Sequence, residues 1–180
     1  MKKHVITLLL IIAVLLLAAG CTKKSEQPAV KDSPDGKAAE PDAISTASVV
    51  DNGEDFIRAA GADGTWIIAA LSDLSIDREI VLEGEFTNRG ELARKIALYA
   101  QDQDRKITER YTLTAPKLIV RSPNARIQGG TFAGDVYVDA PGFLVIDATV
   151  KGDITFSSTK FRDSFKQEEG GKVTGKISVE

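Results

Sequence analysis

The sequence predicts an all-β domain of the parallel β-helix (solenoid) kind, with a short N-terminal cap helix. Three observations predict it. A glycine-centred strand pattern recurs three times between Thr131 and Val179. From Gly64 onward the chain is a series of short apolar runs broken by turn residues. Ahead of both stands an apolar leader ending at Gly20, followed by a polar, proline-containing spacer. The organisation read from this is 1–20 signal segment, 21–50 spacer and 51–180 β-helix domain.

The leader reads MKKHVITLLLIIAVLLLAAGC. Lys2 and Lys3 are a basic start, Val5–Leu17 is apolar except for Thr7, and Ala18, Ala19 and Gly20 are small. This three-part layout is that of a secretory signal, short and without a stop-transfer pattern, whereas the rival reading, an uncleaved transmembrane anchor, needs about 20 apolar residues. Ala18-Ala19-Gly20-Cys21 resembles a bacterial lipobox. The resemblance implies that Cys21 carries a diacylglycerol and becomes the mature N-terminus. Two acyl chains make a stable anchor. The expected location is therefore extracytoplasmic, tethered by lipid to the bacterial cell membrane. The competing reading is a soluble secreted protein with an incidental cysteine.

Residues 22–50 hold Pro28, Pro34 and Pro41, mixed charges and no aromatic residue. Such a stretch cannot bury enough apolar surface to offset its ordering entropy, so it predicts a disordered spacer. The chain has one His and one Cys, His4 and Cys21, and neither lies beyond the lipobox. Once the leader is removed, Ser-His-Asp and Cys-His catalysis, His-ligated zinc and a structural disulfide are excluded. Loss of Lys2 and Lys3 leaves 21 basic against 26 acidic side chains, a net charge of −5. That disfavours nucleic acid as a partner.

In DNGEDFIRAAG (51–61), Asp51 or Asn52 is placed to cap a helix that Gly61 ends, with Phe56, Ile57 and Ala60 on one face. Strands are expected at 65–71, 79–86, 94–101, 107–114, 117–121, 135–140, 143–147, 153–158 and 176–180, all rich in β-favouring residues. The segment 158–165 has a short helical spacing of Phe161 and Phe165. Asp102-Gln103-Asp104-Arg105, between two alternating runs, predicts a hairpin or protruding loop.

The repeat units are TFAGDVYV (131–138), TVKGDITF (149–156) and KVTGKISV (172–179), centred on Gly134, Gly152 and Gly175. Phe132, Val136 and Val138, then Val150, Ile154 and Phe156, then Val173, Ile177 and Val179 share one strand face. A repeated apolar-x-Gly step at this period marks a solenoid rather than an antiparallel sandwich. The glycines are expected at tight corners. A second echo sets TAPKLIV (114–120) against DAPGFLV (139–145).

The stacked units GDVYV, GDITF and GKISV resemble bactofilins, polymer-forming bacterial cytoskeletal proteins, and more loosely the wider right-handed parallel β-helix group that includes pectate lyases. The bactofilin likeness implies a single-stranded, right-handed β-helix that associates end to end. The lipobox and spacer depart from it. In the pectate lyases clustered Asp residues hold calcium. Here Asp135 and Asp153 occupy equivalent repeat positions, but six to eight oxygens cannot be assembled around them. No metal, cofactor or catalytic residue is assigned.

Residues 94–126 carry a local net charge of +5 and residues 72–91 one of −4. Arg94, Lys95, Arg105, Lys106 and Arg110 are the candidate site for an anionic cell-wall polymer. The alternative is that acidic and basic neighbours simply pair on the surface. Trp66 is expected in the core of the first turn. The sequence thus points to a non-enzymatic, lipid-anchored envelope protein for structural, adhesive or self-assembling interaction, with self-association through the last repeat, after which Glu180 leaves no residues for a cap. The alternative is a polysaccharide-binding or pectate-lyase-like β-helix.

Overall fold

The computed structural model describes residues 47–180. The signal segment, Cys21 and the spacer as far as residue 46 lie outside the described residues. In chain order the elements are β1 (Ser48–Val50), α1 (Gly53–Ala60), β2 (Ile67–Ala70), β3 (Leu74–Ser75), β4 (Ile80–Leu82), β5 (Thr87–Asn88), β6 (Glu91–Leu92), β7 (Arg94–Ala97), β8 (Tyr99–Gln101) and β9 (Ile107–Arg110). There follow β10 (Thr112–Val120), β11 (Ala125–Gln128), β12 (Thr131–Val138), β13 (Leu144–Ile146), β14 (Thr149–Lys151), β15 (Ile154–Phe156), α2 (Thr159–Asp163), β16 (Lys166–Glu168), β17 (Lys172–Val173) and β18 (Ile177–Val179).

The fold is all-β with parallel sheets. One ladder runs β1-β2-β7-β11-β13-β16. The other has β10 and β12 at its centre, β3 and β4 on one side, β14 and β15 on the other, and β17 and β18 last. From β7 onward the chain passes alternately through the two ladders, and each strand pairs in parallel with the equivalent strand one pass later. Two short antiparallel pairs, β5 with β6 and β8 with β9, lie off the ladders. The second is the hairpin expected around Asp102–Arg105.

The register matches the repeat. Val136 pairs with Ile154 and Ile154 with Ile177; Val138 pairs with Phe156 and Phe156 with Val179. Inward side chains from both ladders form one hydrophobic cluster, with Ile68, Ile96, Leu118, Phe132, Ile154 and Phe156 fully buried. The second echo is overturned: Leu118 pairs with Val136 in β12, whereas Leu144–Ile146 lies in the other ladder.

The glycine column has a reason other than corner freedom. A Cβ on Gly134 would sit 1.9 Å from the Ala115 carbonyl oxygen, one on Gly152 2.1 Å from that of Gly134, and one on Gly175 2.2 Å from that of Gly152. Each glycine lies on the backbone of the pass before it, where no side chain fits. The second ladder bends at this column: β10 carries a register shift between Thr114 and Lys117, and β14 and β15 are separate strands.

Both ends correct the expected boundaries. The first ladder begins at Ser48, inside the stretch read as spacer, because β1 pairs with β2 and buries Val50. Next, α1 forms as expected. The Asn52 side chain accepts from the Asp55 N–H, the Gly61 N–H bonds the Arg58 carbonyl, and Phe56, Ala59 and Ala60 join the core. At the other end cover is present after all. Capped by Ser158, α2 packs on β15 and β18. Just beyond it, Phe165 stacks on Phe143 at 5.9 Å and meets Phe156 at 5.4 Å. Trp66 is half-buried rather than part of the fully buried core.

Candidate functional site

The five basic candidates are not brought together. Arg94 is fully buried, the opposite of a surface contact. Its Nη2 donates to the Ala59 carbonyl in the last turn of α1 (2.6 Å) and to the carbonyl of the C-cap Gly61 (3.2 Å), which also accepts the Gly64 N–H. Its guanidinium lies 3.8 Å from the centre of the Phe86 ring. Nε and Nη1 have no hydrogen-bond partner. Burial pulls its pKa down to about 10, so the side chain is still a cation at neutral pH. Arg94 therefore fastens the cap helix to the ladder. The sequence places it in a surface charge run because Lys95 beside it is also basic and strand alternation alone does not distinguish an inward arginine from an outward one.

Lys95 faces outward and donates to the Tyr99 hydroxyl at 2.7 Å. Arg105 and Lys106 lie in the exposed hairpin turn, where the Lys106 N–H bonds the Asp102 carboxylate. Arg110 alone lies in a built polar site. The surface-pairing alternative accounts for two further bases: Lys117 meets Glu79 at 3.4 Å and Arg121 meets Glu83 at 3.8 Å, across the pairing of β4 with β10. These pairs are about half exposed and contribute little.

Asp135 and Asp153 act on the backbone. Asp135 Oδ1 accepts the Asp153 N–H at 2.9 Å, and Asp153 Oδ1 accepts the Lys176 N–H at 2.7 Å. Each carboxylate thus holds the next pass at the bend beside the glycine column. Asp73 does the same for the Thr112 N–H at 2.7 Å. Among the described residues no three His, Cys, Asp or Glu side chains group to hold a metal ion.

The best-formed polar site is an open groove of about 280 Å³ at the turn between the ladders, lined by Arg110, Tyr111, Thr112, Gly129, Gly130, Thr131, Asp147, Thr149 and Lys172 among others. Thr112, Thr131, Thr149 and Lys172 are register partners on successive passes, one outward column. Arg110 reaches from the hairpin. Its Nη2 bonds Asp147 Oδ2 at 2.8 Å, and its Nη1 donates to the carbonyls of Gly129 and Asp147. Asp147 has a φ of +47° and Gly129 one of +99°, so the floor is a tight, left-handed turn. Beside it Tyr111 donates to Glu109, and that bond, with the charge of the carboxylate, raises the pKa of the phenol. The sequence carries a signal for this column in the first letter of each repeat unit (Thr131, Thr149, Lys172). It is fainter than the apolar signal because an outward polar position is under no packing constraint.

The other feature is apolar. In the final rung Ile177 and Val179 are 38% and 37% exposed, although their register partners Ile154 and Phe156 are fully buried. Among the described residues no strand pairs β17 or β18 on the far side. No helix among them is long and apolar enough to cross a membrane. Comparison with protein-family models, with curated proteins and with solved structures gives no match for this chain.

Proposed function

We propose that the two ladders are the faces of a right-handed parallel β-helix, and that this domain is the assembly module of a bactofilin-like, lipid-anchored envelope protein. In this reading Cys21 holds the chain to the outer side of the cell membrane, and the β-helix serves structural, adhesive or self-assembling contacts rather than catalysis. The alternation of strands between two parallel ladders around one core supports the solenoid.

One observation carries the function. In the second ladder the inward residues Val136, Val138, Ile154 and Phe156 are each covered by their counterparts on the next pass, and among the described residues Ile177 and Val179 have none. Phe161 and Phe165 cover part of that end, while the outer edges of β17 and β18 pair with no strand among the described residues. An edge of this kind is a template for another chain. A second copy supplies the missing rung, and tethering to one membrane raises its local concentration. Two copies meeting by this same end form a closed pair, so dimers precede polymers.

Sedimentation of the full chain in detergent micelles tests this reading. A concentration-dependent dimer that Val179→Lys dissociates is the expected result. A strict monomer at high concentration removes the assembly role. The anchor is tested separately: Cys21→Ser abolishes lipid labelling and releases the protein from membranes, and unchanged retention overturns the lipobox reading.

A further inference from the structure

The outward face of the first ladder is amphipathic. One outward column runs Ile67, Lys95, Arg126, Leu144 and Lys166, register partners on successive passes. Beside Ile67, at the end nearest α1, the neighbouring column begins with Val49 and Ala69. This end is apolar. An open groove of about 340 Å³ lies there, lined by Ile67, Ala69, Leu71, Ala97 and Tyr99 among others. Val49 and Leu71 are among the few large apolar side chains left exposed. Single exposed apolar residues are ordinary, whereas a contiguous patch with a polar rim marks an interaction surface.

Here the rim is basic. Lys95, Arg126 and Lys166 make no ion pair among the described residues, and Arg126 Nε has no hydrogen-bond partner. Lys95 Nζ lies 5.0 Å from the centre of the Tyr99 ring and holds its hydroxyl, so an aromatic side chain with a polar tip stands at the groove. The carboxylates of this face are at its two ends: Asp51, which already accepts the Asn52 side-chain N–H, and Glu168 on β16. In the adjoining hairpin Asp102, Asp104 and Glu109 are balanced by Arg105, Lys106 and Arg110. Aliphatic side chains, a tyrosine and long bases on one plane suit a membrane interface. The apolar groups enter the acyl boundary, the phenol sits at headgroup level and the bases extend to phosphates.

Two observations select lipid over a second copy. Across a two-fold axis the column would set bases against bases, a like-charge contact. The described fold also begins on this groove, since Ala47 is part of its lining. Ala47 follows Cys21 by 26 residues, a span of at most about 90 Å. In the lipid-anchor reading, on which this inference rests, the anchor therefore tethers the domain at the apolar end of this face. We propose that the first ladder lies face-down on the bilayer. Val49, Ile67, Leu71 and Tyr99 enter the interface, and Lys95, Arg126 and Lys166 meet phosphate groups. Four steps of about 4.8 Å separate Ile67 from Lys166 by about 19 Å, so several headgroups are contacted at once. The stack then runs along the membrane plane, which leaves the open rung at β18 free for a second copy.

The test uses the full lipidated chain in phosphatidylcholine and phosphatidylglycerol vesicles that contain a doxyl-labelled lipid. A nitrobenzoxadiazole fluorophore is attached at Leu71→Cys, or at Thr155→Cys on the second ladder as the control. The Leu71→Cys label is expected to be quenched about threefold more than the control. Val49→Asp, an exposed change that leaves the melting temperature unchanged, lowers that quenching to the control level. Lys166→Glu lowers it in these vesicles and not in neutral phosphatidylcholine. Equal quenching at the two labels, quenching that Val49→Asp leaves untouched, or a Lys166→Glu effect no larger with the anionic lipid than without it overturns the proposal. The anchor is read separately, because two labels per chain instead of one report an unacylated Cys21. A singly labelled chain that floats with the vesicles but is not quenched at Leu71→Cys retains the anchor reading and refutes the membrane-facing ladder.

Discussion

Residues 125–180 and residues 67–124 build the same two ladders by passes of very different length. In the later part Ile127 pairs with Val145 and Val136 with Ile154, both at the spacing that separates Gly134 from Gly152. In the earlier part Ile96 pairs with Ile127 and Ile80 with Leu118, so each pass takes up far more chain. The difference is inserted structure: the antiparallel pairs β5–β6 and β8–β9 both interrupt early passes. Uniform passes hold register through stacked glycines and Asp-to-backbone bonds, which recur. The early passes hold it through single devices, Arg94 chief among them. A repeat in sequence therefore reports where the stack is uninterrupted, and its absence does not mean that the stack has ended.

The widest separation expected is between inward and outward positions in the uniform part. Ile154 is fully buried between Val136 and Ile177, and Thr155 beside it is outward, its Oγ1 3.3 Å from the Ser178 Oγ. Ile154→Asp buries an unpaired charge and costs more than about 4 kcal/mol, enough to unfold many domains. Thr155→Asp stays within about 0.5 kcal/mol. Urea melts that coincide for the two variants contradict the register.

The early part breaks at Arg94. Arg94→Ala empties a buried volume and strips the Ala59 carbonyl of its side-chain donor, at a cost of about 3 kcal/mol. Arg110→Ala, at the partly exposed bridge to Asp147, costs at most about 1 kcal/mol. Thermal unfolding ranks the two. Equal losses would place Arg94 outside the core and undo its role as the fastening of α1.

A smaller effect sharpens the contrast between kinds of glycine. Gly152→Ala forces a methyl against the Gly134 carbonyl and costs about 1–3 kcal/mol. Gly170 has open space around it but a φ of +82°, so Gly170→Ala costs about 1 kcal/mol from backbone strain alone. A greater loss at Gly170 than at Gly152 would show that conformation, not close approach, selects the glycine column.

How legible each part is follows from the same contrast. The inward set from Phe132 to Val179 and its pairing are readable because apolar parity and glycine spacing repeat together. Helix α1 is readable from its cap chemistry, and the β8–β9 hairpin from its polar turn. β1 is not, because Ser48–Val50 is too short to show alternation and gains its partner only at Ile68–Ala70. Nor is α2 as a cover, since the contacts of Phe165 with Phe143 and Phe156 are tertiary. Of the groove, Arg110 is readable as a base in a charged stretch. Its fixing by the distant Asp147 is not, because a single salt bridge leaves no periodic trace.

The two ends of the stack offer the most direct test of the assembly reading. At one end Val49 of β1 is 63% exposed but points outward beside the cap helix; at the other, β18 presents Ile177 and Val179 as a rung that α2 covers only in part. Oxidative cross-linking of the lipidated full chain with a single added thiol, at Ser178→Cys or at Val49→Cys, reports which end meets a second copy. The account predicts a covalent dimer from Ser178→Cys and none from Val49→Cys or from the parent chain. A dimer from Val49→Cys alone, or from neither variant, would contradict it.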